Sequence, residues 1–213
     1  MLKIWGRVNS SNVQKVLWTC DTLGVPFERI DAGMQFGVNN TPEYRAMNPN
    51  GRVPTIEDDG FVLWESNAIM RYLCAKHDHQ HLLMPHGLQE RADADRWMDW
   101  SSTTLGPAIT PLFWGLIRTP VAERKPEAIA AARSETAKCF AMLDAALATR
   151  QFVAGERLTM GDIPNAIQVY RWFEMLGVYA ATETRPAMPH LAAWYARLKQ
   201  NAGFAKWVMQ PIT

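Results

Sequence analysis

The chain has 213 residues, of which 48% are hydrophobic and 20% are charged, and its formal net charge is +1. This composition is typical of a folded globular protein with one large or two small domains. A nearly neutral chain without a basic tract argues against nucleic acid and against an acidic membrane surface as partners. No apolar run reaches the length that spans a bilayer.

The first residues and the cysteines predict the compartment. The chain enters a predicted strand at once, without the apolar segment and cleavage site of a signal peptide. Its three cysteines are odd in number and widely spaced, and they form no CxxC pair. Such usage suits a reducing compartment and provides no disulfide framework. We therefore expect a cytoplasmic protein.

The first part of the chain alternates between predicted strands and helices. Leu2–Trp5 and Phe27–Ile30 are predicted strands, and the apolar spacing of residues 12–23 indicates a helix between them. A strand, helix and strand in this order imply a parallel crossover. After an irregular stretch that ends near Gly51, a β-hairpin turns at Asp58-Asp59-Gly60 and a helix follows, which we expect Ser66 to cap.

The remainder of the chain is predicted to be helical. The segment 79–87 is rich in histidine, proline and glycine and has the composition of a linker. Beyond it, aliphatic and tryptophan residues recur at three-to-four spacing in five segments. These predicted helices are residues 89–105, 108–117, 125–147, 161–176 and 189–201. The predicted fold class is thus an α/β domain over residues 1–78, followed by an all-α domain over residues 88–213.

The sequence Leu158-Thr159-Met160-Gly161-Asp162-Ile163 predicts the start of one of these helices. Thr159 and Asp162 have the spacing of a capping box, in which the acidic side chain returns a hydrogen bond to the threonine amide. Leu158 and Ile163 stand at the positions of a hydrophobic staple. We interpret this motif as a folding device.

Three motifs together carry a family resemblance. They are N-P-N-G-R-V-P at residues 48–54, L-W-E-S at residues 63–66 at the start of a helix, and the Thr159/Asp162 box. At this spacing they resemble a cytosolic glutathione transferase of the bacterial serine-type classes, theta-, zeta- or nu-like, over nearly the whole chain. The resemblance implies a thioredoxin-like first domain, an all-helical second domain and a homodimer.

The same resemblance implies which residues hold glutathione. The bond before Pro54 is expected to be cis, so that the backbone of Val53 pairs with the cysteinyl unit like an added strand. Glu65 suits the ammonium of the γ-glutamyl unit, and the hydroxyl and amides at Ser66 suit its carboxylate. Arg52 is a further candidate for a carboxylate of glutathione. Glutathione is the co-substrate in this account, with no other cofactor and no metal.

The catalytic residue is expected in the segment that leads into the first helix. Where the thioredoxin architecture keeps CxxC, this chain has Ser10-Ser11-Asn12-Val13. A hydroxyl or amide at a positive helix end can stabilise a bound thiolate without a protein thiol. Ser10 falls where theta- and zeta-like classes keep their serine, and Asn12 falls where a nu-like class keeps an asparagine. Ser11 is a third candidate, and all three side chains could instead cap the helix.

The electrophile is expected to lie over the glutathione sulfur, against the helical domain. Thr110, Phe113, Trp114 and Ile117 form an apolar candidate lining, although core packing explains the same residues equally well. Trp207 is a weaker candidate.

Other reactive residue types have structural explanations. His77, His79 and His81 alternate in the linker, at a spacing that matches no zinc motif, so we predict no metal site. Cys20 stands on the apolar face of the first helix and is interpreted as a core residue.

The predicted function is conjugation of the glutathione thiolate to small hydrophobic electrophiles, a detoxification activity. One alternative is a nu-like glutathione-dependent disulfide or peroxide reductase, which also needs no protein cysteine. The other is a non-catalytic protein that binds glutathione. The combination of the Val53-Pro54 and Glu65-Ser66 elements argues against a pure scaffold, which has no need of them.

Overall fold

The first domain of the computed structural model, which describes residues 1–179 and 186–213, is built on a four-stranded sheet. Its strands are β1 (Leu2–Trp5), β2 (Phe27–Ile30), β3 (Thr55–Asp58) and β4 (Phe61–Trp64), in the order β2-β1-β3-β4. β1 and β2 run parallel, whereas β3 is antiparallel to both β1 and β4. This mixed sheet confirms the predicted thioredoxin-like domain.

Two helices pack together against this sheet. They are α1 (Ser11–Leu23), which crosses over from β1 to β2, and α3 (Ser66–His77), which follows the hairpin. Leu2 and Ile4 alternate along β1 and share a buried cluster with Val13, Val16 and Leu17 of α1. Trp18 belongs instead to the core of the helical domain and meets the ring of Phe204 at a centroid distance of 5.4 Å. α1 therefore contributes to both cores, which places its N-terminus between the domains.

The helices that follow residue 87 form the second domain. They are α4 (Leu88–Trp100), α5 (Gly106–Phe113), α6 (Pro126–Leu147), α7 (Asp162–Tyr179), α8 (Pro189–Leu198) and α9 (Ala202–Trp207). Between residues 78 and 87 the chain has no helix or strand. The exact limits of the two domains and the linker stay a prediction. No described helix is long and apolar enough to cross a membrane.

The predicted gap between residues 105 and 108 is wrong, because α4 and α5 belong to one unbroken helical stretch from residue 88 to residue 118. Two π-helical segments interrupt its α-helical geometry, Ser101–Leu105 and Trp114–Arg118. A proline inside an α-helix clashes with the carbonyl four residues earlier. For Pro107 that carbonyl belongs to Thr103, which lies in the first π segment. In a π-helix each backbone hydrogen bond spans five residues instead of four.

Two short helices were missed by sequence reasoning. α2 (Pro42–Met47) lies within the stretch predicted to be irregular, and the Thr41 hydroxyl accepts a hydrogen bond from the Tyr44 amide at its start. α9 follows α8 directly, and Asn201 caps it by accepting a hydrogen bond from the Phe204 amide at 3.0 Å. Each helix has six residues, too few for a clear apolar period.

The predicted capping box is confirmed at the start of α7. The Asp162 carboxylate accepts hydrogen bonds from the amide of Thr159 at 2.8 Å and from the amide of Val153 at 2.9 Å. It also accepts one from the indole of Trp194. Burial raises the pKa of Asp162 to about 6, against the opposing effect of these donors. The motif thus ties three segments of the helical domain together.

The prediction that Ser66 caps α3 is wrong. The N-cap position belongs to Glu65, whose backbone lies in the left-handed half of conformational space with φ of 71°, and its side chain makes no capping hydrogen bond. Ser66 is the first residue inside the helix. Its hydroxyl is therefore not engaged with the helix backbone and turns towards α1.

Candidate active site

Two adjoining cavities open between the sheet domain and the helical domain. The first, here called the serine cavity, has a volume of about 400 Å³, and the second, the glutamate cavity, about 470 Å³. The residues that line the serine cavity include Ser10, Val53, Asn39, Arg7, Phe113, Trp114 and Arg118. Those that line the glutamate cavity include Lys15, Glu65, Ser66, Asn67 and Gln168. Ser11, Asn12, Arg52, Thr110 and Arg171 line both. An elongated ligand could therefore occupy both cavities at once.

Ser10 stands at the N-cap of α1 with an extended backbone, and its side chain makes no capping hydrogen bond. The residue is 7% exposed and lines the serine cavity. No described residue hydrogen-bonds to its hydroxyl. The alternative in which the Ser10 side chain caps the helix is therefore wrong. Its hydroxyl is free to donate to a ligand, beside the unpaired amides of the first helical turn.

The other two catalytic candidates differ from Ser10 in their surroundings. Asn12 is exposed, and its side-chain oxygen accepts a hydrogen bond from the Ser66 hydroxyl at 3.3 Å. Ser11 is partly exposed and lies at the junction of the two cavities. Of the three, Ser10 combines burial with an unused hydroxyl.

A buried hydrogen-bond network fixes the segment that precedes β3. The peptide bond between Val53 and Pro54 is cis, as predicted. The Arg52 carbonyl accepts hydrogen bonds from the Tyr44 hydroxyl at 2.7 Å and from the side-chain amide of Asn48 at 2.9 Å. Both donors also reach the Thr55 hydroxyl. Asn48 of the N-P-N-G-R-V-P motif is thus a supporting residue, which holds the backbone in place.

This network leaves the backbone of Val53 unused. Among the described residues, neither its amide nor its carbonyl has a hydrogen-bond partner, and the residue lines the serine cavity. Pro54 is buried behind it. An extended segment with a free donor and a free acceptor can pair with a peptide as an added strand would.

Ser66 and Lys15 form the floor of the glutamate cavity. Both are 5% exposed, and the Lys15 ammonium donates a hydrogen bond to the Ser66 hydroxyl at 3.3 Å and another to the Asn67 side chain at 3.3 Å. Burial lowers the pKa of Lys15 to about 8, and the nearby Glu65 carboxylate only partly offsets it. Sequence reasoning missed Lys15. Lys15 stands one helical turn after Ser11 and Asn12, and this spacing places it on the same face of the helix as these two candidates.

Groups of both charges line the rest of the glutamate cavity. The Glu65 carboxylate is exposed, and the side-chain oxygen of Gln168 is buried without a partner among the described residues. Arg52 borders this cavity as well as the serine cavity. The cavity therefore offers acceptors for an ammonium and donors for a carboxylate, the two groups of an amino acid end.

The helical domain contributes only part of the predicted apolar lining. Thr110, Phe113 and Trp114 line the serine cavity, whereas Ile117 packs against the helical core. Ile117 lies in the π segment Trp114–Arg118, whose wider turns break the spacing of an α-helix. In its place the cavity receives the guanidinium of Arg118. Trp207 packs between the two cores, next to Phe27, and lines neither cavity.

Metal ligands and thiols do not contribute to this arrangement. No cluster of three or more metal-ligating side chains occurs within residues 1–179 and 186–213, including the predicted histidine segment. Cys20 and Cys74 are buried, burial raises the pKa of each to about 12, and neither lines the serine cavity or the glutamate cavity. The core interpretation of Cys20 is confirmed.

Comparison with known proteins identifies the family. Residues 1–75 match the family model described as "Glutathione S-transferase, N-terminal domain", and residues 94–201 match "Glutathione S-transferase, C-terminal domain". The chain belongs to the glutathione S-transferase family. It is 41% identical to glutathione S-transferase GstB of Escherichia coli (strain K12), over 100% of both chains. It is 27% identical to glutathione S-transferase 3 of Zea mays, over 97% of this chain and 93% of that one.

Among solved structures, the fold matches a theta class glutathione S-transferase from Xanthomonas axonopodis pv. citri with glutathione bound. The TM-score is 0.92, with 48% identity over 100% of this chain and 99% of that one. The predictions of the family, of its two-domain fold and of a glutathione S-transferase enzyme are confirmed.

Proposed function

We propose that this glutathione S-transferase holds the glutathione sulfur at the mouth of the serine cavity and that Ser10 stabilises it as a thiolate. The observation that carries the proposal is the free hydroxyl of Ser10 at the N-terminus of α1, in the same cavity as the unpaired backbone of Val53. The thiolate then attacks a small electrophile. A carbon–sulfur bond forms, and the electrophile loses its leaving group.

Glutathione lies across both cavities in this proposal. Its γ-glutamyl carboxylate meets Ser66 and the Lys15 ammonium, and its γ-glutamyl ammonium meets Glu65 and the Gln168 oxygen. The cysteinyl backbone pairs with the amide and carbonyl of Val53. The pose is supported by the unpaired groups in each cavity and by the theta class relative that was solved with glutathione bound.

The energy available at Ser10 is sufficient for this role. Lowering the pKa of a thiol from about 8.5 to about 6.5 requires about 2.7 kcal/mol of preferential stabilisation of the anion. One hydrogen bond to a charged group contributes about 1.5–3 kcal/mol, and a helix N-terminus about 0.3–1 kcal/mol. The hydroxyl and the helix together account for the shift.

The electrophile occupies the serine cavity beside Phe113 and Trp114. Trp114 is 54% exposed, which is unusual for a tryptophan that serves the core, and it borders the cavity. An aromatic surface there can cover one face of a small apolar substrate. Thr110 adds a polar group near the junction of the cavities.

The direct test is an assay of purified protein with glutathione and two substrates. We expect conjugation of an aryl halide above the uncatalysed rate, and little reduction of a mixed disulfide. Turnover of the disulfide alone would contradict the proposal and favour the reductase. Binding of glutathione without turnover of any electrophile would favour a non-catalytic protein.

We also propose that the chain forms a homodimer in the cytoplasm. The dimer is supported by the family and by large apolar side chains that stay exposed on the edge strand β4, Phe61 at 49% and Trp64 at 37%. The cytoplasmic location rests on the cysteine usage.

A further inference from the structure

The serine cavity is lined by basic side chains without an acidic counterpart. Arg7, Arg52, Arg118 and Arg171 all border it, and none of its lining residues is an aspartate, a glutamate or a histidine. The predicted partner of this cavity was a hydrophobic electrophile. Four guanidinium groups around a small space do not fit an exclusively apolar ligand, because a buried charge without a partner is costly.

In the part of the chain that the structure describes, three of these arginines have no partner of opposite charge. Within residues 1–179 and 186–213, no carboxylate forms an ion pair with Arg7, Arg118 or Arg171. The Nε atom of Arg7 is buried and donates no hydrogen bond to any described residue. Arg118 and Arg171 both lie over the ring of Phe113, at 5.7 Å and 4.3 Å from its centroid.

The three charges also act on one another. Burial, followed by the neighbouring Arg118 and Arg7, lowers the pKa of Arg171 to about 10. Burial and Arg118 lower the pKa of Arg7 as well. Arg171 is thus destabilised by the other two guanidinium groups and Arg7 by Arg118, and an anion placed among them would relieve the repulsion. Other arginines of the chain are paired instead, such as Arg71 with Asp95 and Asp99.

We propose that the electrophile of this enzyme carries a carboxylate or a similar anionic group, which binds to Arg7, Arg118 and Arg171 in the serine cavity. The proposal rests on the proposed function, since it names the substrate class of that site. Guanidinium groups match a carboxylate through paired hydrogen bonds. Anchoring the anionic end there leaves the reactive carbon free to face Ser10 and the thiolate, with the apolar part of the substrate against Trp114.

Two other anions could use the same arginines. One is the glycyl carboxylate of glutathione, and the other is the thiolate itself. The electrophile is favoured because Arg118 and Arg171 lie against Phe113 of the helical domain, which together with Trp114 forms the apolar part of the cavity lining. The experiment below separates all three.

The first arm compares two aryl chlorides of similar shape, the anionic 4-chloro-3-nitrobenzoate and the neutral 4-chloro-3-nitrobenzamide. With either one, the thiolate forms a carbon–sulfur bond at the carbon that carries chlorine, and chloride leaves with the bonding electrons. Each kcat/KM is divided by the uncatalysed rate constant at the same pH, which corrects for the different reactivity of the two rings. We expect the corrected ratio of benzoate to benzamide to exceed ten in the wild type.

Arg118→Gln should lower that ratio about ten- to hundredfold, the effect of losing a hydrogen bond between charged groups. Arg7→Gln is the second variant, in case the first folds poorly. Arg96→Gln is the matched control, because Arg96 pairs with Asp93 on the surface and lines neither cavity. It should leave the ratio unchanged.

The second arm measures binding without chemistry. With the glutathione site saturated by S-methylglutathione, calorimetry compares 3-nitrobenzoate with 3-nitrobenzamide. We expect the benzoate to bind at least tenfold more tightly, and Arg118→Gln to remove that preference. Equal binding of the two would overturn the inference whether or not the enzyme conjugates aryl halides, so failure of the proposed function would be seen separately in the first arm.

The same variants address the competing anions. If Arg118→Gln weakens the binding of glutathione but not of its glycyl monoethyl ester, the arginines serve the glycyl carboxylate and the inference is wrong. If Arg118→Gln raises the pKa of bound glutathione and lowers the rate of conjugation equally for both substrates, the arginines serve the thiolate and the inference is wrong. An unchanged thiolate pKa together with a lost preference for the benzoate would support it.

Discussion

The ammonium of Lys15 lies 3.3 Å from the hydroxyl of Ser66, and both groups are buried at the floor of the glutamate cavity. The contact joins α1 to α3 within the first domain. It also places a positive charge directly behind the serine that we propose binds the γ-glutamyl carboxylate. The carboxylate would therefore receive a hydroxyl donor and a cation from one pair of residues, which strengthens each interaction.

Removal of the Ser66 hydroxyl should weaken glutathione binding more than it weakens the fold. In Ser66→Ala the ligand loses one hydrogen bond to a charged group, so we expect its dissociation constant to rise about 10- to 100-fold. Loss of the long contacts to Lys15 and Asn12 should cost the fold about 1 kcal/mol or less. Calorimetry and urea denaturation measure the two effects. Ser134→Ala, at an exposed position of α6, is the control. A larger effect on stability than on binding would contradict the assignment.

Lys15 should make glutathione binding sensitive to pH. Because its pKa is about 8 without ligand, it is charged and able to bind a carboxylate below pH 8 and loses that charge above it. S-methylglutathione, which has no thiol to titrate, should bind about tenfold more weakly at pH 9 than at pH 7 through this effect. The bound carboxylate favours the charged lysine, so binding should take up protons near pH 8.

Lys15→Arg is the control for this pH dependence, because an arginine stays protonated and any titration of the ligand itself is common to both proteins. The ratio of the two affinities should therefore change with pH. A constant ratio between pH 7 and pH 9 would show that Lys15 does not contact the ligand charge.

The stability of the ligand-free protein provides a second test of the Lys15 pKa. The unfolded chain binds the Lys15 proton up to about pH 10.5, so the wild type should gain stability relative to Lys15→Arg as pH rises from 8 to 10.5.

Asp162 should be among the most sensitive positions for folding. Its carboxylate satisfies two backbone amides and the Trp194 indole at a fully buried site. Asp162→Asn replaces one acceptor oxygen by a donor, which faces at least one of these N–H groups. We expect a loss of about 2–4 kcal/mol in the free energy of unfolding, measured by urea denaturation. Asp59→Asn, at an exposed turn, should change it by less than about 0.5 kcal/mol. Equal effects would refute the structural role.

The proposed homodimer can be tested through the edge strand β4. Sedimentation at micromolar concentration should give about twice the mass of the 24.1 kDa chain. A charge at the exposed apolar position Phe61, as in Phe61→Glu, should shift the equilibrium towards the monomer, because it would be buried in the interface. A wild-type monomer at that concentration would be incompatible with the dimer.

Local patterns were enough to predict most of the fold. Alternation along β1, the helical period of α1 and the Asp-Gly turn between β3 and β4 are each encoded within a few residues, and the structure has all three. Short helices such as α2 and the unbroken stretch from residue 88 to residue 118 were not predicted. Their conformation depends on caps, prolines and π turns, which leave no regular apolar period.

The candidate site was only partly accessible from sequence. Ser10, Val53 and Glu65 were reached through motifs that the family resemblance made readable. Lys15 and Arg118 were not predicted, because the residues that line a cavity depend on how the two domains pack together. For Arg118 the π segment also matters, since it turns Ile117 away from the cavity and Arg118 towards it. A lysine on a helix is ordinarily a surface residue, and here Lys15 is buried on a helix that packs against both α3 and α7.

The measurement that tests the central claim most directly is the pH titration of thiolate absorbance for glutathione bound to the wild type and to Ser10→Ala, with Asn12→Ala and Ser11→Ala as matched comparisons. If Ser10 donates to the thiolate, its loss should raise the pKa of bound glutathione by about 1–2 units. Affinity well below that pKa should change little, and the rate at neutral pH should fall about ten- to hundredfold and partly recover as pH rises. A titration that Ser10→Ala leaves unmoved while Asn12→Ala or Ser11→Ala shifts it would contradict the assignment of Ser10.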